Sequence, residues 1–408
     1  MKYLINLSLI ILLLGSCTRG DNQDDPDSPK VIGDPAEVGE MIESFGFDAF
    51  EQTVLGEDEK ENICISPLSI STALAMAWNG ADNSTYRDMA EVLKFADTKT
   101  TDINAGFLQL PDDLLPASDK VIIEQANGLF WDEKRITVYD EFIDAVEEAY
   151  DSERKLLDFD QEELSKEAIN GWVEDKTDDK IKDLIKKIED KDVMFMINAL
   201  YFKGDWDNPF APGLTRKGDF QKYNGTLVEL DFMEHDSKFP YFASEDYAAV
   251  DFPFVGGDYS MTFILPASES GMGDFLSDFD LAAYRDLVEN KLDTSRVIIR
   301  LPKFEVEYDL NLKDVLTTLG MGVAFEKGIA DFTKLGHSPQ GPLYMSRVMH
   351  KVKLGIDEYG AEGSAATAVV ISADSAPPSI LFDRPFYFVL RHVETQALLF
   401  IGLVGNPT

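Results

Sequence analysis

Apolar residues recur at helical spacing in the first half of the chain. Between residues 41 and 54, methionine, isoleucine, phenylalanine and valine fall near one face of a helix. A second helix is predicted to begin at Ser66-Pro67, because serine is a preferred N-cap residue and proline suits the first helical position. We expect it to run through Ala73 to Trp78. Further helical segments are predicted near residues 140–150, 162–175 and 179–188.

Strand patterns dominate the second half. Residues 193–202 form a mostly apolar run, and residues 297–308 alternate between apolar and polar positions in their second half. Residues 386–393 and 398–404 are predicted to form a final antiparallel pair. Because helices come first and strands follow, the pattern favours an α+β fold with segregated layers over an alternating parallel sheet.

Length and charge narrow the possible classes of protein. The chain has 408 residues, of which 44% are hydrophobic and 27% are charged, so it can bury a sizeable core. No internal repeat is visible and no linker follows residue 36, which predicts one domain over residues 37–408. The net charge of −38 argues against nucleic acid or an anionic membrane surface as an electrostatic partner.

The first residues have the pattern of an export signal. Lys2 precedes an apolar run over residues 4–14, which is too short to span a membrane as a helix. The GSC sequence at residues 15–17 resembles the lipobox of bacterial lipoproteins. This resemblance implies that residues 1–16 are a signal peptide and that Cys17 is lipidated after cleavage before it. The alternative is a plain secretory signal in which Cys17 is incidental.

Residues 17–36 are predicted to be a flexible acidic tether, since Asp, Asn, Gly and Pro dominate them. The acidic run soon after Cys17 is similar to signals that direct some lipoproteins to the outer face of the outer membrane. We therefore expect an exported protein that is lipid-anchored at the bacterial outer membrane and surface-exposed, or released to the extracellular space. If Cys17 carries lipid, Cys64 has no disulfide partner, and its apolar surroundings predict an inert buried thiol.

Residues 356–385 combine small side chains with a strongly strand-forming run. The stretch opens with an acidic pair that includes Glu358, then Gly360, and from Ala361 onward nearly all residues are small. Small residues have little apolar area to hold them in a core, at about 0.8 kcal/mol per buried methylene. Residues 367–371 nevertheless favour a strand. Composition alone permits an ordinary surface loop, but a segment that is exposed first and becomes a strand later has the same pattern.

The order of features in this stretch resembles the reactive-centre loop of a serpin. The hinge residues Glu358 and Gly360 precede the small residues, and FDRPF follows at residues 382–386. Further segments similar to serpin motifs are residues 66–70, 198–206, 301–304, 308–310, 348–352 and 400–408. The resemblance implies the serpin fold over residues 37–408. In that fold, helices pack on a large central, mainly antiparallel β-sheet plus two smaller sheets, with an exposed reactive-centre loop at about residues 358–381.

This resemblance implies a suicide-substrate inhibitor of serine endopeptidases, with cysteine endopeptidases as a second target class. The protease forms an acyl-enzyme with the cleaved loop, and residues from about Ala361 onward insert as a new strand into the central sheet. The protein is therefore expected to be a monomer, not an enzyme, with no cofactor and no metal. Its acidity argues against a heparin-like cofactor.

The composition of the hinge fits insertion into a sheet. Ala361, Gly363, Ala365 and Thr367 fall on one face of a strand at period two, and none of them is charged. Glu362 falls on the other face, where its charge can stay solvated. Gly363 departs from the alanine that is more common in the family. We expect it to slow insertion, because glycine in a strand costs about 0.5–1 kcal/mol relative to alanine.

The resemblance also implies roles for residues far from the loop. Trp206 is implied to lie where insertion begins, and Lys303 is expected to pair there with Glu358 as a latch.

A polar cluster is implied under the middle of the sheet, where hydrogen-bonded groups rearrange more readily than a tight apolar core. Its members are Ser66, Ser69, Asn198 and His350.

Counting along the loop predicts the bond that the protease cleaves. In inhibitory serpins this bond follows the residue 16 positions after the hinge glutamate, which is the Asp374-Ser375 bond here. An acidic bait residue suits a protease whose pocket offers arginine or lysine to a carboxylate. The alternative is cleavage one to four residues earlier, by an elastase-like or subtilisin-like enzyme.

Two other functions compete with inhibition. A non-inhibitory serpin would act as a binding module, but its usual sign is missing, since no charged, bulky or proline residue faces the sheet in this hinge. A hydrolase would need a nucleophile or metal motif. The chain contains neither a Gly-x-Ser-x-Gly elbow nor a His-Glu-x-x-His sequence.

Overall fold

The structure, a computed structural model, describes residues 35–57, 61–267, 275–276, 278–361 and 377–407. All of them belong to one compact unit, which starts at Gly33. The predicted signal peptide, Cys17 and most of the predicted tether lie outside the described residues. Among the helices that the structure describes, none is both long and apolar enough to cross a membrane.

The helix predicted from Ser66 is present and lies in the core. The Ser66 side chain accepts a hydrogen bond from Ser69 N at 3.3 Å, and Pro67 occupies the first turn. The first helix begins at Pro35, two residues before the predicted start of the domain. The described α-helices are α1 (Pro35–Gly56), α2 (Pro67–Asn79), α3 (Asn83–Val92), α4 (Thr100–Asp113), α5 (Asp140–Tyr150), α6 (Glu162–Lys176), α7 (Leu281–Asp286) and α8 (Lys313–Leu316). Short 3₁₀ or π-helical turns cover Pro212–Leu214, Leu287–Lys291, Thr317–Met321 and Gly322–Phe325.

The helix predicted at residues 179–188 is absent, so that prediction is wrong. The apolar spacing is helical, but side chains of α6 and of the residue that follows it take the amide groups that a helix would use. The segment therefore runs as an irregular strap, and with α6 it forms a second apolar cluster. Its buried isoleucines are held by the pairs Ile181 N to Thr177 Oγ1, Ile185 N to Asn170 Oδ1 and Ile188 N to Glu162 Oε1.

Strands form three sheets within the described residues. In chain order they are β1 (Asn62–Ile65), β2 (Val121–Trp131), β3 (Thr137–Val138), β4 (Ser152–Leu156), β5 (Met194–Asp205), β6 (Arg216–Gln221), β7 (Leu227–Ala243), β8 (Tyr247–Pro253), β9 (Tyr259–Pro266), β10 (Asp293–Pro302), β11 (Phe304–Asn311), β12 (Gly336–His337), β13 (Met349–Ile356), β14 (Gly360–Ala361), β15 (Ser379–Leu381), β16 (Phe386–His392) and β17 (Leu398–Val404).

The sheets are mainly antiparallel, which confirms the predicted α+β class. The nine-stranded sheet follows the order β1-β17-β16-β9-β8-β7-β10-β15, with β6 paired to β7. A six-stranded sheet, called the hinge sheet below, follows the order β11-β13-β14-β5-β2-β4, and β12 pairs with β3. Only the β10–β15 and β2–β4 pairs are parallel among the described strands. The predicted final pair is present as β16 and β17.

The single strand predicted at residues 297–308 is two strands in different sheets. β10 ends at Pro302 and β11 begins at Phe304. Between them, the Lys303 backbone N–H donates to Asp231 O at 2.9 Å. The alternation of apolar residues continues through this corner, so the pattern gave no sign of it. The corner places Lys303 where its side chain can reach the hinge.

Candidate functional site

The hinge forms a short strand inside the hinge sheet. Gly360 and Ala361 pair with Asp205 and Gly204 of β5, and Ala361 also pairs with Ile356 of β13. All of these pairings are antiparallel. Within the described residues, β13 and β5 share no ladder of their own and are joined through β14. The first hinge residues therefore occupy a strand position between two neighbours.

The hinge backbone requires glycine at position 360. Its φ of +152° lies in a region that side-chain-bearing residues rarely adopt. A Cβ at Gly360 would lie 1.9 Å from Gly204 O, far inside van der Waals contact. The next residue, Ala361, is fully buried. The hinge thus needs no side chain at the first position and a small one at the second.

Glu358 is held by a lysine, a hydroxyl and a backbone amide. Lys303 Nζ lies 2.6 Å from Glu358 Oε2, and Thr215 Oγ1 donates to Glu358 Oε1 at 2.7 Å. Phe210 N donates to Glu358 O at 2.8 Å. Burial by itself raises the pKa of Glu358, but the hydrogen bonds from Lys303 and Thr215 outweigh it and hold the pKa below its ordinary value. The carboxylate is therefore charged when it binds Lys303.

Trp206 anchors the turn before the hinge. Its backbone N–H donates to Tyr359 O at 2.7 Å, and its indole Nε1 donates to Asp357 O at 3.3 Å. The buried ring stacks on Phe254 with 4.4 Å between centroids. Asp357 accepts the N–H of Tyr359 at 2.8 Å, and burial raises the pKa of its carboxyl group. Trp206 therefore fixes the turn through both backbone and side chain.

The four residues of the predicted polar cluster are connected in space. Ser66 N donates to His350 Nε2 at 3.0 Å, and Ser69 Oγ donates to Asn198 O at 3.3 Å. Burial lowers the pKa of His350 to about 4, so the ring is neutral at pH 7 and Nε2 can accept a hydrogen bond. The cluster thus joins the start of α2 to both β5 and β13.

Sequence reasoning missed two members of this region. Asn127 of β2 lies directly opposite Asn198 and accepts a hydrogen bond from Asn198 Nδ2 at 2.8 Å. The sequence shows Asn127 as a polar residue within a strand-forming run, which could have marked it as a candidate. Its partner Asn198 is known only from the register in which β2 and β5 pair. Nothing in the sequence indicated that Thr215 would hydrogen-bond to Glu358. Asn198 Oδ1 is buried and has no hydrogen-bond partner among the described residues.

A cavity of about 190 Å³ lies along the facing edges of β5 and β13. It is lined by residues of α2, α6, β5, β13 and the strap that follows α6. The polar cluster opens onto it through Ser69, Asn198 and His350, and apolar residues of the two strands, such as Leu200 and Val352, line it above. The cavity therefore extends from the polar cluster to Leu200 and Lys353, which lie four and three residues before the partners of Ala361 on β5 and β13.

One group of carboxylates could hold a metal ion among the described residues. Oxygens of Asp132, Asp158 and Asp160 lie within 4.8 Å of one another. Arg135 Nη2 lies 2.7 Å from Asp160, and Lys134 Nζ lies 2.9 Å from Asp158. Protein cations already neutralise this group, so it is an ion-pair network at the end of β2.

Comparison with known proteins places the chain in a family. A family model described as "Serpin (serine protease inhibitor)" matches residues 40–407. The chain is a serpin. Human antithrombin-III is 32% identical to it over 383 residues, which cover 91% of this serpin and 82% of antithrombin-III. The description of the family is that of protease inhibitors rather than of enzymes.

Solved structures confirm the serpin fold. Tengpin, a thermophilic serpin, in its native state matches with a TM-score of 0.83 and 31% identity, over 93% of this serpin and 96% of tengpin. A thyroxine-binding globulin in complex with thyroxine matches with a TM-score of 0.81 and 26% identity, over 91% of this serpin and 100% of that chain. The fold is therefore shared by a protein whose structure was solved with bound thyroxine.

Several predicted site residues of this serpin lie outside the described residues. They are the hinge residues Gly363, Ala365 and Thr367, the cleavage-site residues Asp374 and Ser375, and the lipidation residue Cys17. The described site residues fall into two groups. One group surrounds the hinge at Glu358, and the other is the polar cluster around His350.

Proposed function

We propose that this serpin is a suicide-substrate inhibitor of serine endopeptidases, with cysteine endopeptidases as a second target class. The observation that carries the proposal is β14, which pairs with β5 on one side and with β13 on the other. Because the two neighbours are joined only through β14 among the described strands, a strand that continues from Ala361 has a ladder available on both sides.

The pairings of β14 set the register of such a strand. Ala361 lies opposite Gly204 and Ile356, so each further residue would step one position back along β5 and β13. Residues directly opposite one another on neighbouring strands share a face of the sheet. In this register, Gly363 would lie between Phe202 and Leu354, Ala365 between Leu200 and Val352, and Thr367 between Asn198 and His350.

The inserted face would match its surroundings. Phe202, Leu200, Val352 and Leu354 all belong to the main apolar core, so small uncharged residues between them suit the available space. Thr367 would meet the polar cluster instead. Its hydroxyl could donate to Asn198 Oδ1, which is buried and lacks a partner among the described residues. Insertion would thus give Asn198 Oδ1 a hydrogen-bond donor and would also bury apolar surface.

The covalent step follows ordinary acyl transfer. The protease nucleophile attacks the Asp374 carbonyl carbon, the bond to Ser375 N breaks, and the Ser375 amine leaves with a proton while an ester or thioester remains. Residues 361–374 number 14, and at about 3.3 Å each they would span about 46 Å as a strand. Insertion would carry the tethered protease over that distance and distort it before water hydrolyses the ester.

The bait residue and the export signal set the proposed partner and place of action. Asp374 suits proteases with a cationic pocket, such as glutamyl-endopeptidase-like, granzyme-like or caspase-like enzymes. A lipid on Cys17 would hold the inhibitor at the outer membrane surface, where exported proteases would meet it. We propose that the protein acts there as a monomer.

Incubation with a panel of proteases tests the proposal. The panel contains an acid-specific glutamyl endopeptidase, a caspase, an elastase and a subtilisin, and the products are separated on a denaturing gel. We expect a covalent band at the summed mass with the acid-specific enzyme. The released peptide should begin at Ser375 by mass spectrometry. Cleavage without a covalent band would overturn inhibition and favour a binding module, whereas a different first residue would overturn only the bait assignment.

A further inference from the structure

An ion pair joins the segments that lead into β5 and β13, at the end of the hinge sheet far from β14. Asp192 precedes β5 by two residues, and Arg347 precedes β13 by two residues. Arg347 Nη2 lies 2.5 Å from Asp192 Oδ2, and Ser346 Oγ donates to Asp192 Oδ1 at 3.1 Å. Both residues line the cavity along the two strands. We call the Asp192–Arg347 pair the end clamp.

The acidic half of the end clamp is fixed in place. Asp192 is 4% exposed, and its Oδ2 also accepts the Glu189 N–H at 2.8 Å. The Asp192 carbonyl accepts from Arg135 Nη1 at 3.1 Å, and Arg135 Nε lies 3.4 Å from Asp132 after the end of β2. Asp132, Arg135 and Asp192 are buried, so we expect this network to hold the Asp192 carboxylate in place when β13 moves away.

The basic half of the end clamp reaches across from the side of β13. Arg347 Nη2 donates to Lys187 O at 2.8 Å, and the guanidinium carbon lies 5.6 Å from the centroid of the Phe195 ring. Lys187 belongs to the strap, Phe195 belongs to β5, and Asp192 lies in the short segment between them. The Arg347 side chain therefore ties the start of β13 to the start of β5.

We propose that the end clamp opens in the last stage of strand insertion and controls how completely the cleaved loop enters the hinge sheet. A strand between β5 and β13 holds them two strand spacings apart, about 9–10 Å. Ala361 lies opposite Ile356 and Gly204. In the same register, residue 370 of such a strand would lie opposite Arg347, and residue 373 would lie opposite Asp192. Its final residues would therefore have to part the pair.

The end clamp would act on the balance between trapping and release. While it is closed, insertion stops short and the protease is displaced by less than the full distance. An undistorted acyl-enzyme can be hydrolysed, which frees the protease and leaves a cleaved inhibitor. The clamp also keeps β5 and β13 together before cleavage. This inference rests on the proposed function, and it names Asp192 and Arg347 as positioning residues for that reaction.

Neutralising the clamp in the full chain tests the inference. Arg347→Gln removes the ion pair and should convert on heating to the self-inserted form about tenfold faster than the parent protein. We expect an effect of this moderate size because Arg347 is partly exposed, and a partly exposed ion pair contributes less than a fully buried one. Arg347→Lys keeps the charge and should convert at nearly the parental rate. The double variant Asp192→Asn/Arg347→Gln should be no faster than the faster single variant. Native gels run after timed heating give these rates.

A second readout separates a clamp from an ordinary stabilising contact. After the loop is cleaved at Asp374 and the full strand inserts, the clamp is already open. Arg347→Gln should therefore lower the melting temperature of the intact protein and leave that of the loop-cleaved protein unchanged. Equal losses in both forms would overturn the inference. The control is Lys186→Gln, which removes an exposed ion pair with Asp309 of β11 and should not change the conversion rate.

The outcomes distinguish this inference from the proposed function. If the parent protein forms no covalent band with any protease, inhibition fails, but the heating experiment still reports on the clamp. If the parent forms the band and Arg347→Gln converts at the same rate as Lys186→Gln, the clamp fails alone. With a working clamp, Arg347→Gln should also trap a larger fraction of protease per inhibitor consumed.

Discussion

Glu358 is buried, and side chains from two distant parts of the chain bind its carboxylate, while a backbone amide binds its carbonyl oxygen. Lys303 comes from the corner between two strands, Thr215 from a surface loop, and the Phe210 amide from the segment after β5. Each contact supports the turn that directs the chain into β14. A change at any of these residues should therefore act on the hinge although none of them lies in it.

Reversing the charge of Lys303 should loosen this turn. In Lys303→Glu, a second carboxylate would face the buried Glu358 in place of the ammonium group, and like charges repel. Because Lys303 is partly exposed, we expect a moderate effect, with conversion to latent or polymeric forms on heating about tenfold faster. Native gels after timed heating measure it. Lys217→Glu, which reverses an exposed pair with Asp231, is the matched control, and equal behaviour of the two variants would contradict a latch.

His350 should make stability depend on pH. Burial lowers its pKa from 6.5 to about 4 in the folded protein. The unfolded chain therefore binds a proton below about pH 6.5 that the folded chain does not accept until about pH 4, so stability should fall across that window. The loss should be on the order of 3 kcal/mol.

Unfolding midpoints measured between pH 7 and pH 4 test this linkage. His350→Gln retains a hydrogen-bond acceptor for Ser66 N and should flatten the pH dependence. His337→Gln, at an exposed position, should leave it as in the parent protein. A parental slope in His350→Gln would show that the buried imidazole does not carry the effect.

Residue identities could be predicted where family motifs carry them, and not elsewhere. Ser66, Asn198 and His350 stand in recognisable segments, and the structure connects them through α2. Thr215 and Asn127 stand in no such segment. Their roles depend on side-chain positions that only the folded chain defines, because each meets a partner more than 70 residues away.

At the scale of elements, β14 is a strand of two residues whose geometry depends on one glycine. Gly360→Ala would place a Cβ 1.9 Å from Gly204 O at a φ of +152°. Keeping the native pairing would then cost about 1–3 kcal/mol of strain. We therefore expect residues 360 and 361 to leave the hinge sheet in this variant.

Amide hydrogen exchange at Ala361 reports that loss of pairing, and the melting temperature of the intact protein should fall with it. Gly355→Ala is the matched control, because a Cβ at that position of β13 meets nothing within 4 Å. Protection of the Ala361 amide in Gly360→Ala equal to that in Gly355→Ala would refute the strict need for glycine.

Element types could be predicted from local patterns only where no tertiary contact competed. The α2 helix and the β16–β17 pair follow their patterns because caps and alternation agree with their surroundings. At residues 179–188, apolar spacing predicts a helix, but α6 side chains bind the amides and pull the segment into a strap. At Lys303, alternation continues through a corner between sheets, so the pattern could not show the break.

At the scale of the whole molecule, three sets of contacts act on the same pair of strands. The latch at Glu358 lies beside β14, the polar cluster lies midway at His350, and the Asp192–Arg347 pair lies at the other end. All three consist of hydrogen bonds or ion pairs that exchange partners more readily than packed apolar side chains. Such an arrangement suits a sheet that must admit one more strand and stay closed until then.

The register along these strands gives a final prediction for the complete reaction. Ala365 would lie between Leu200 and Val352 on the buried face, so Ala365→Arg would force an unpaired charge into the main core. The protease should still cleave this variant, because the bait is unchanged. Trapping should be lost, with cleaved inhibitor and active protease as products.

Glu362→Arg is the matched control, since its side chain would lie on the opposite face of the same strand. It should form the covalent complex as the parent protein does, and its loop-cleaved form should melt at a higher temperature than its intact form. Ala365→Arg should show no such rise, because its cleaved loop cannot enter the sheet. If Ala365→Arg gave the parental yield of covalent complex, insertion in the register of β14 could not be the step that traps the protease.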